Sequence, residues 1–458
     1  MDQLWNALTL SRLQFAVTTL FHMLWPLLSI GLSLWLVVLE AAWLRTRNEI
    51  YFRHARYWTT PFLLSFGIGV ASGLPLEFQF GTNWAGFSQV AGEFFGNILG
   101  FEAAMAFMLE AAFLGIMIFG RRRVSPRMHF FATCMVALGA SLSAFWIMDA
   151  SAWMQTPAGV EVIAGRGQVR SYWQAVFNPS WWYSFTHMWA ACVLASLFFV
   201  AGISAWYIRR GRDRGFFLVS FKLALAGALV VAPLQVYLGD ESGRGVTRYQ
   251  PAKTAAMEAH WHTNPPGQGA DWKLLAWPNK ADQRNDWELA VPDALSLIAT
   301  RSRTGTVQGL TDFPPEDRPP IAITFWSFRL MVAIGLFMVV LALWSAWRWR
   351  RGRLAPCLAQ EQRRFWTCWV WSIPLGFLAA DLGWIVREVG RQPWVIYGLQ
   401  RTSDGVSVLQ AGPTAASLIG YTLVYALLLG VFIVFLVRFV RKGPDLSSPI
   451  VPPSKEVR

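Results

Sequence analysis

Two carboxylic acids interrupt one of the most apolar stretches of the sequence. Glu102 and Glu110 lie in GFEAAMAFMLEAAFLG, with Glu102 nearer one end of the apolar run and Glu110 closer to its middle. On an α-helix they would be about 12 Å apart along the axis and about 80° apart around it. Ionisable groups are costly inside a membrane, so two acids at different depths suggest a proton relay. The alternative is a pair of carboxyls satisfied by neighbouring backbone, Ser or Thr groups.

Two histidines lie within apolar stretches. The sequence has six histidines, of which only His22 and His187 fall inside such runs. Each alone could be a hydrogen-bonded core histidine. Because neutral imidazole is a common axial ligand of haem iron, the presence of two such histidines favours haem ligation.

The segment SFRLM adds a thioether and a cation in a third apolar run. Met331 is a candidate haem ligand, although most membrane methionines only fill space. Arg329, two residues earlier, would pair with an anion such as a haem propionate. A simpler interpretation is an arginine whose head group extends to the membrane surface.

A further carboxylate lies between two arginines in DLGWIVREVGRQPW. Glu388 is flanked by Arg387 and Arg391, which is commonly just an ion pair. Asp381, Trp384, Glu388 and Arg391 nevertheless share one helical face at spacings of three or four residues. Such a face is expected to point into protein and not towards lipid.

The composition indicates an integral membrane protein. Of the 458 residues, 54% are hydrophobic and 15% charged, against about 25% charged residues in soluble domains. Many apolar runs reach the length of about 20 residues that a membrane-spanning helix needs. We predict an all-α integral membrane protein with about nine transmembrane helices, near residues 14–43, 59–81, 96–120, 128–149, 183–208, 216–238, 321–347, 366–388 and 413–438.

Arginine clusters give the orientation. They follow the first, third, fifth, seventh and ninth spans, so the positive-inside rule places the N-terminus in the periplasm and the C-terminus in the cytoplasm. These clusters account for the net charge of +13, and we expect no nucleic-acid partner. The first apolar run has neither a basic start nor a small-residue cleavage site, so we expect it to be retained as a span.

The chain divides into four regions. Residues 1–238 hold the first six predicted spans, and residues 321–440 hold the last three. Between them, residues 239–320 are polar and form a periplasmic loop, in which residues 255–261 could form a short helix. Loops of this length are usually functional or disordered. The tail at residues 441–458 is predicted to be disordered in the cytoplasm.

Several motifs resemble subunit I of the cytochrome bd quinol oxidases. The resemblance covers nearly the whole chain in the same order, and GRQPW and EFQFGTNW are quite specific to that family. The matching segments are SRLQFAVTTLFH (11–22), GLPLEFQFGTNW (73–84), AMAFMLEAAFLG (104–115), LGDESGRG (238–245), AKTAAMEAHW (252–261), SFRLM (327–331) and GRQPW (390–394).

The resemblance implies an electrogenic quinol:oxygen oxidoreductase of the bacterial inner membrane. Quinol would be oxidised at the periplasmic loop, and O2 reduced to water at a haem pair with protons taken from the cytoplasm. The expected cofactors are a low-spin haem b, a high-spin haem b, and haem d or a further haem b in its place. The expected partners are a second large membrane subunit, quinol, O2 and the lipid bilayer, with a small single-span subunit as an optional third chain.

The resemblance also assigns roles to individual residues. Which of the two oxygen-site ligands binds which haem stays open. His187 and Met331 match the axial ligands of the low-spin haem b, with Arg329 near it, and His22 and Glu388 match ligands of the two oxygen-site haems. Glu102 matches a carboxylate beside the oxygen site and Glu110 one on the proton route. Lys253 and Glu258 match the quinol-binding pair, Trp384 matches an aromatic residue between haems, and Arg391 is expected to bind a haem.

The sequence departs from the family pattern in two places. The loop is short between GLTDFPPEDRP (309–319) and the following span, which resembles the cyanide-insensitive branch of the family, where haem d is not always present. Arg387 stands where a small residue is expected before Glu388. An extra cation there would favour the charged, iron-ligating form of Glu388.

Two other functions fit a multi-pass chain with buried charges. One is a transporter or channel whose buried charges line a substrate path, for which discontinuous helices and inverted repeats would be expected and are not evident in the sequence. The other is a quinone-linked cytochrome b that passes electrons to another protein.

Overall fold

A computed structural model describes residues 6–354 and 362–447 of the chain. Within these residues nine helical segments are long and apolar enough to cross a membrane, which confirms the predicted all-α membrane fold. The part of the predicted tail at residues 448–458 lies outside the described residues, whereas Arg441 and Lys442 still belong to the last helix.

Short connections join most of the helices, and the longest segment between two spans follows the sixth span. They are α1 (Ala7–Thr46), α2 (Glu49–Thr82), α3 (Ala85–Phe101), α4 (Met108–Phe119), α5 (Pro126–Gln155), α6 (Tyr172–Val176), α7 (Trp181–Arg210), α8 (Arg214–Tyr249), α9 (Pro251–Glu258), α10 (Ala294–Thr300), α11 (Ile321–Arg350), α12 (Arg363–Trp371), α13 (Leu375–Val389), α14 (Thr402–Gly405) and α15 (Ala411–Lys442).

Three short antiparallel hairpins complete the described structure. They pair β1 (Val160–Ile163) with β2 (Arg166–Val169), β3 (Trp272–Asn279) with β4 (Arg284–Val291), and β5 (Trp394–Ile396) with β6 (Gln400–Arg401).

Local sequence explains where the long helices begin and end. The side chain of Asn6 accepts a 2.8 Å hydrogen bond from the Thr9 amide at the start of α1. Ser125 caps α5 in the same way, and Pro126 occupies the first turn, where no amide donor is needed. Gly211 ends α7 with a φ of 77°, a left-handed conformation that glycine adopts without steric cost.

Two predicted spans are not continuous α-helices. Between α3 and α4, residues Glu102–Phe107 wind as a π-helix, a conformation frequent at functional sites. The predicted span 366–388 is two helices, because the chain turns at residues 372–374, and Pro374 has no amide hydrogen to continue α12.

Helix α7 lies at the centre of the bundle. It packs against α1, α8 and α12, and most of its residues from Cys192 onwards are buried. Ser196 donates a 2.8 Å hydrogen bond to the Leu27 carbonyl of α1. A Cβ at Gly31 would lie only 2.3 Å from Ser196 Oγ, so this close approach requires glycine. The helices that carry His22 and His187 are therefore held directly against each other.

The two ends of the bundle differ in composition. At one, here called the arginine end, Arg53 donates a 2.8 Å hydrogen bond to the Leu446 carbonyl, and Arg212 donates a 3.0 Å bond to the Arg441 carbonyl. At the other, the loop end, α8 continues to Tyr249, well beyond the predicted boundary at residue 238. Most of the segment after it is folded as α9, the β3–β4 hairpin and α10.

Candidate functional site

His22 is positioned by a serine on the neighbouring helix. Its Nδ1 lies 2.9 Å from Ser72 Oγ, and that hydroxyl donates its own hydrogen to the Gly69 carbonyl at 3.1 Å. Ser72 can then only accept from the ring, so Nδ1 carries the hydrogen and Nε2 keeps its lone pair. A Cβ at Gly73 would be 3.1 Å from His22 Cε1, so glycine leaves room beside the ring.

His187 has an incompletely satisfied ring. Gln235 of α8 makes a weak 3.4 Å hydrogen bond to Nε2, and Nδ1 is buried without a hydrogen-bond partner among the described residues. The NH2 group of Gln235 can only donate, so Nε2 is the acceptor in this contact and the unpaired Nδ1 carries the hydrogen. The contact is long, so Nε2 is the ring nitrogen that remains suited to bind a metal, and the buried N–H is left without the acceptor that such groups normally have. Gly239 faces this ring, and a Cβ there would be 3.2 Å from Cε1.

Met331 repeats this arrangement in α11. Its Sδ faces Gly383 of α13, where a Cβ would lie 3.1 Å away. Three of the four predicted iron ligands, His22, His187 and Met331, therefore have a glycine of an adjacent helix beside the side-chain atoms that would coordinate iron or lie next to it. A side chain at any of these glycines would press on the candidate ligand.

Glu388 forms a charged cluster in the last turn of α13. It pairs with Arg391, and its Oε1 lies 3.8 Å from Arg387 Nε. Gln155, at the end of α5, donates a 3.4 Å hydrogen bond to the same Oε1. The carboxylate thus lies among two guanidinium groups and one amide donor.

Lys253 belongs to the same cluster. Its Nζ donates to Gln155 Oε1 at 3.1 Å and to the Arg387 carbonyl at 2.8 Å. Burial, together with Arg387 and Arg391, lowers the pKa of Lys253 well below its ordinary value. Gln155 thereby connects the predicted quinol residue Lys253 with the predicted iron ligand Glu388.

Glu258 does not join Lys253, although both lie on α9. Glu258 Oε2 accepts a 2.5 Å hydrogen bond from Arg329 Nη2, and both side chains are buried. Burial raises the pKa of Glu258, against the opposing effect of Arg329. Arg329 also donates a 2.7 Å bond to the Lys273 carbonyl of β3. The two predicted quinol residues therefore connect α9 to α13 and to α11 respectively.

Glu102 and Glu110 face the same neighbouring helix. Ser143 of α5 donates a 2.7 Å hydrogen bond to Glu102 Oε1, and a Cβ at Gly139 would be 2.5 Å from Glu110 Cγ. Ser143 and Gly139 are one helical turn apart, roughly 6 Å along the axis. The predicted angle of about 80° between the acids is wrong, because the π-helical segment turns less per residue than an α-helix.

Trp384 lies one turn before Arg387 on α13, with the guanidinium 5.9 Å from its ring. Asp381, on the same face, has a buried Oδ1 without a hydrogen-bond partner in the described residues. Sequence reasoning missed Gln155 and Ser72, because a neutral amide and a helix hydroxyl carry no charge or metal-ligand signal. Their importance follows only from the helices that meet there.

The residues fit haem. Within residues 6–354 and 362–447 no three His, Cys, Asp or Glu side chains come together as a metal site; haem needs only one or two protein ligands. The weakly bound Nε2 of His187 and the glycines opposite His22, His187 and Met331 are consistent with such ligands. Buried nitrogens of Arg329, Arg387 and Arg391 also find no partner within the described chain, and they would suit haem carboxylates.

Known proteins match the chain over almost its full length. The family model of cytochrome bd terminal oxidase subunit I matches residues 10–444. Cytochrome bd ubiquinol oxidase subunit 1 of Bacillus subtilis (strain 168) is 36% identical over 452 residues, covering 96% of this chain and 95% of that protein. Cytochrome bd-II ubiquinol oxidase subunit 1 of Escherichia coli (strain K12) is 32% identical and covers 99% of this chain and 100% of that protein.

A solved structure agrees with these relatives. The bd oxidase from Geobacillus thermodenitrificans superposes with a TM-score of 0.88 at 29% identity, covering 96% of this chain and 99% of that one. Fold and sequence thus lead to one family. The chain belongs to the cytochrome bd terminal oxidase subunit I family and is a multi-pass subunit of a terminal respiratory oxidase in the bacterial inner membrane.

Proposed function

We propose that this subunit oxidises quinol at the loop end and passes the electrons to oxygen, which is reduced to water. Two quinols and one O2 would give two quinones and two waters. The relatives named above as ubiquinol oxidase subunits support the reaction class. The observation that carries the proposal is the connection Lys253–Gln155–Glu388, which joins the predicted quinol helix to a predicted iron ligand.

Haem supplies electron transfer and oxygen binding in this reaction. His187 and Met331 would hold the low-spin haem b. His22, with its Nε2 lone pair free, and Glu388 would bind the haems of the oxygen site, a high-spin haem b and either haem d or a further haem b. Arg329 and Arg391 would bind haem carboxylates, and Trp384 would lie between haems.

Glu258 and Lys253 would bind the two quinol hydroxyls and accept their protons or hydrogen bonds. A buried carboxylate can accept a hydroxyl proton, and a neutral amine can accept another hydrogen bond. Burial disfavours the charged form of both groups, as their pKa shifts indicate, so each is suited to exchange a proton during turnover.

Protons for water formation would travel along the contact between α4 and α5. Glu110 would receive them from the arginine end and Glu102 would deliver them towards the oxygen site. With the arginine end in the cytoplasm and the loop end in the periplasm, turnover separates charge without a dedicated pump. As a member of its family the chain has a subunit II as partner, and a small single-span subunit would be optional.

The test is spectroscopy and oxygen consumption of the purified complex. We expect reduced haem b bands, a pyridine haemochrome that counts the haems, and quinol-driven oxygen uptake. His187→Ala should remove the low-spin haem b bands. A colourless, folded complex would contradict the proposal. Intact haem spectra without oxygen uptake would favour a cytochrome b that passes electrons to another protein.

A further inference from the structure

Three buried arginines at the loop end have unused hydrogen-bond donors. Arg329 Nη1, Arg387 Nη2 and Arg391 Nη1 find no acceptor among the described residues. An unpaired buried donor costs about 1–3 kcal/mol, and more when the group is charged. Arg329 and Arg391 are already assigned to haem carboxylates above, whereas Arg387 occupies the position where a small residue was expected and has no assigned ligand.

The other donors of Arg387 are bound only by neutral groups. Its Nε donates to Ser151 Oγ at 3.0 Å and its Nη1 to Ser184 Oγ at 3.1 Å. These serines fix the plane of the guanidinium between α5 and α7. They contribute no negative charge, so the orientation of Arg387 is set by the protein while its charge is not neutralised by them.

Arg387 lies between two candidate iron ligands. Glu388 is its neighbour in the chain, with Oε1 3.8 Å from Arg387 Nε. Ser184 precedes His187 by three residues on α7, so the two lie on the same face of that helix. The guanidinium is thus adjacent to the proposed oxygen-site ligand and about one turn from the proposed low-spin ligand.

The local charges do not balance. Arg387 and Arg391 contribute two positive charges and Glu388 contributes one negative charge. Lys253 adds a further basic group, which its two hydrogen bonds hold against this cluster. A buried cation without a counter-ion is strongly destabilising, so the cluster requires an anion from outside the described chain. A haem carboxylate bound by Arg391 alone would balance the charge but would leave Arg387 Nη2 without an acceptor. A planar carboxylate is the group that a guanidinium edge binds best.

We propose that Arg387 binds a carboxylate of one of the proposed haems, and that its positive charge raises the reduction potential of that haem. This inference rests on the proposed function and deepens it. Reduction adds an electron to the haem, so a fixed cation nearby in a low-dielectric interior stabilises the reduced state. The alternative is a purely structural arginine that ties α13 to α5 and α7 through the two serines.

The test compares variants in the purified complex by anaerobic redox titration of the haem bands and by pyridine haemochrome. Arg387→Met keeps most of the side-chain volume and removes the charge. We expect a lower midpoint potential of at least one haem, or loss of one haem per complex. Arg387→Gln, which can still bond a serine but is neutral, should behave in the same way. The double variant S151A/S184A keeps the cation and should leave the potentials unchanged.

The outcomes separate the two roles of Arg387. Unchanged haem content and unchanged potentials in Arg387→Met would overturn the inference; if that variant does not assemble, Arg387→Gln decides by the same criterion. An equal shift in S151A/S184A would assign Arg387 the structural role instead and would also overturn it. Failure of the proposed function is distinguishable, because the wild-type complex would then lack haem or oxygen uptake before any variant is compared.

Discussion

Arg329 and Glu258 form a buried ion pair between α11 and the loop helix α9. The Nη2–Oε2 distance is 2.5 Å, and the two side chains are 7% and 8% exposed. Arg329 precedes the candidate iron ligand Met331 by two residues. One pair of charges thus fixes the predicted quinol residue against the helix that would hold the low-spin haem.

Replacement of Glu258 should separate its proton-accepting role from its structural role. Glu258→Gln keeps an oxygen that can accept the bond from Arg329 but cannot take a quinol proton. We therefore expect quinol-driven oxygen uptake to fall about 100-fold, the lower end of the usual contribution of a proton-transfer group. The reduced haem spectrum should stay intact. Oxygen uptake at the wild-type rate in this variant would exclude the proton-accepting role of Glu258.

Glu258→Ala provides the matched comparison. Both variants remove the counter-charge of Arg329, but Glu258→Ala also removes the acceptor, and breaking a buried pair in this way costs about 3–5 kcal/mol. We expect a lower thermal-inactivation midpoint for Glu258→Ala than for Glu258→Gln. Equal stabilities of the two variants would show that the pair does not hold α9 in place.

The glycine opposite His187 should matter for haem binding. A Cβ at Gly239 would be 3.2 Å from His187 Cε1, tighter than ordinary contact, so Gly239→Ala would press on the ring. We expect a shifted or weakened low-spin haem b band in the reduced spectrum. Gly243→Ala is the control, because it lies one turn along the same helix with nothing within 4 Å of the added Cβ. Identical spectra in both variants would refute the prediction.

The sequence predicted the membrane spans, and it identified candidate ligands that stay predictions, but it did not indicate the contacts between the helices. Long apolar runs and arginine clusters are local signals, so the number of spans followed from composition alone. The π-helical turn after Glu102 and the break before Pro374 depend on how the helices pack, and the apolar periodicity of the sequence does not predict them. The pairing of Arg329 with Glu258, and of Lys253 with Gln155, joins residues far apart in the chain.

Turnover should depend on the space that Gly139 leaves for Glu110. A Cβ at Gly139 would lie 2.5 Å from Glu110 Cγ, a distance that the acid can relieve only by moving away from α5. We expect Gly139→Ala and Glu110→Gln both to slow steady-state oxygen uptake while the haem spectra remain. Gly115→Ala, on α4 with nothing within 4 Å, is the control. Wild-type turnover in Glu110→Gln would indicate a structural glutamate.

Acid should loosen the loop through His260. Its Nε2 donates a 3.1 Å hydrogen bond to the Val307 carbonyl, and burial lowers the pKa of His260 to about 4. Between about pH 6.5, the ordinary histidine value, and pH 4, the unfolded loop binds more protons than the folded loop. The contribution of His260 to the stability of the folded loop is therefore complete above pH 6.5 and declines as the pH falls, by about 3 kcal/mol at most.

Limited proteolysis of residues 262–320 measures this effect, with protease activity calibrated at each pH on an unfolded substrate. Cleavage should accelerate from pH 7.5 to pH 5, and His260→Gln, which keeps a donor for Val307, should reduce the acceleration. Lys273 and His262 disfavour charge on His260, and Asp271 favours it. Glu258 acts in the opposite direction, since burial raises its pKa. The difference in acceleration between His260→Gln and wild type therefore measures the effect of His260 alone. Equal acceleration in the two proteins would exclude His260 as the cause.

A second buried charge cluster, at the arginine end, should stabilise the folded protein. His129 Nε2 lies 3.0 Å from the Met117 carbonyl, which can only accept, so this nitrogen carries a hydrogen. His129 Nδ1 is 2.9 Å from Glu40 Oε2, and Arg121 donates a 3.2 Å bond to Glu40 Oε1. The carboxylate of Glu40 therefore contacts both the His129 ring and the Arg121 guanidinium.

Glu40→Gln would remove the negative charge that Arg121 and His129 contact. We expect a loss of about 3 kcal/mol, the lower part of the range for breaking a buried pair, because Arg121 is partly exposed. The measurement is the thermal-inactivation midpoint of the purified complex, with haem spectra recorded first. Thr133→Val is the matched control, since it removes one neutral donor to Glu40 and should cost less. If Glu40→Gln were as stable as wild type, the cluster could not be what joins α1 to α4 and α5 at this end.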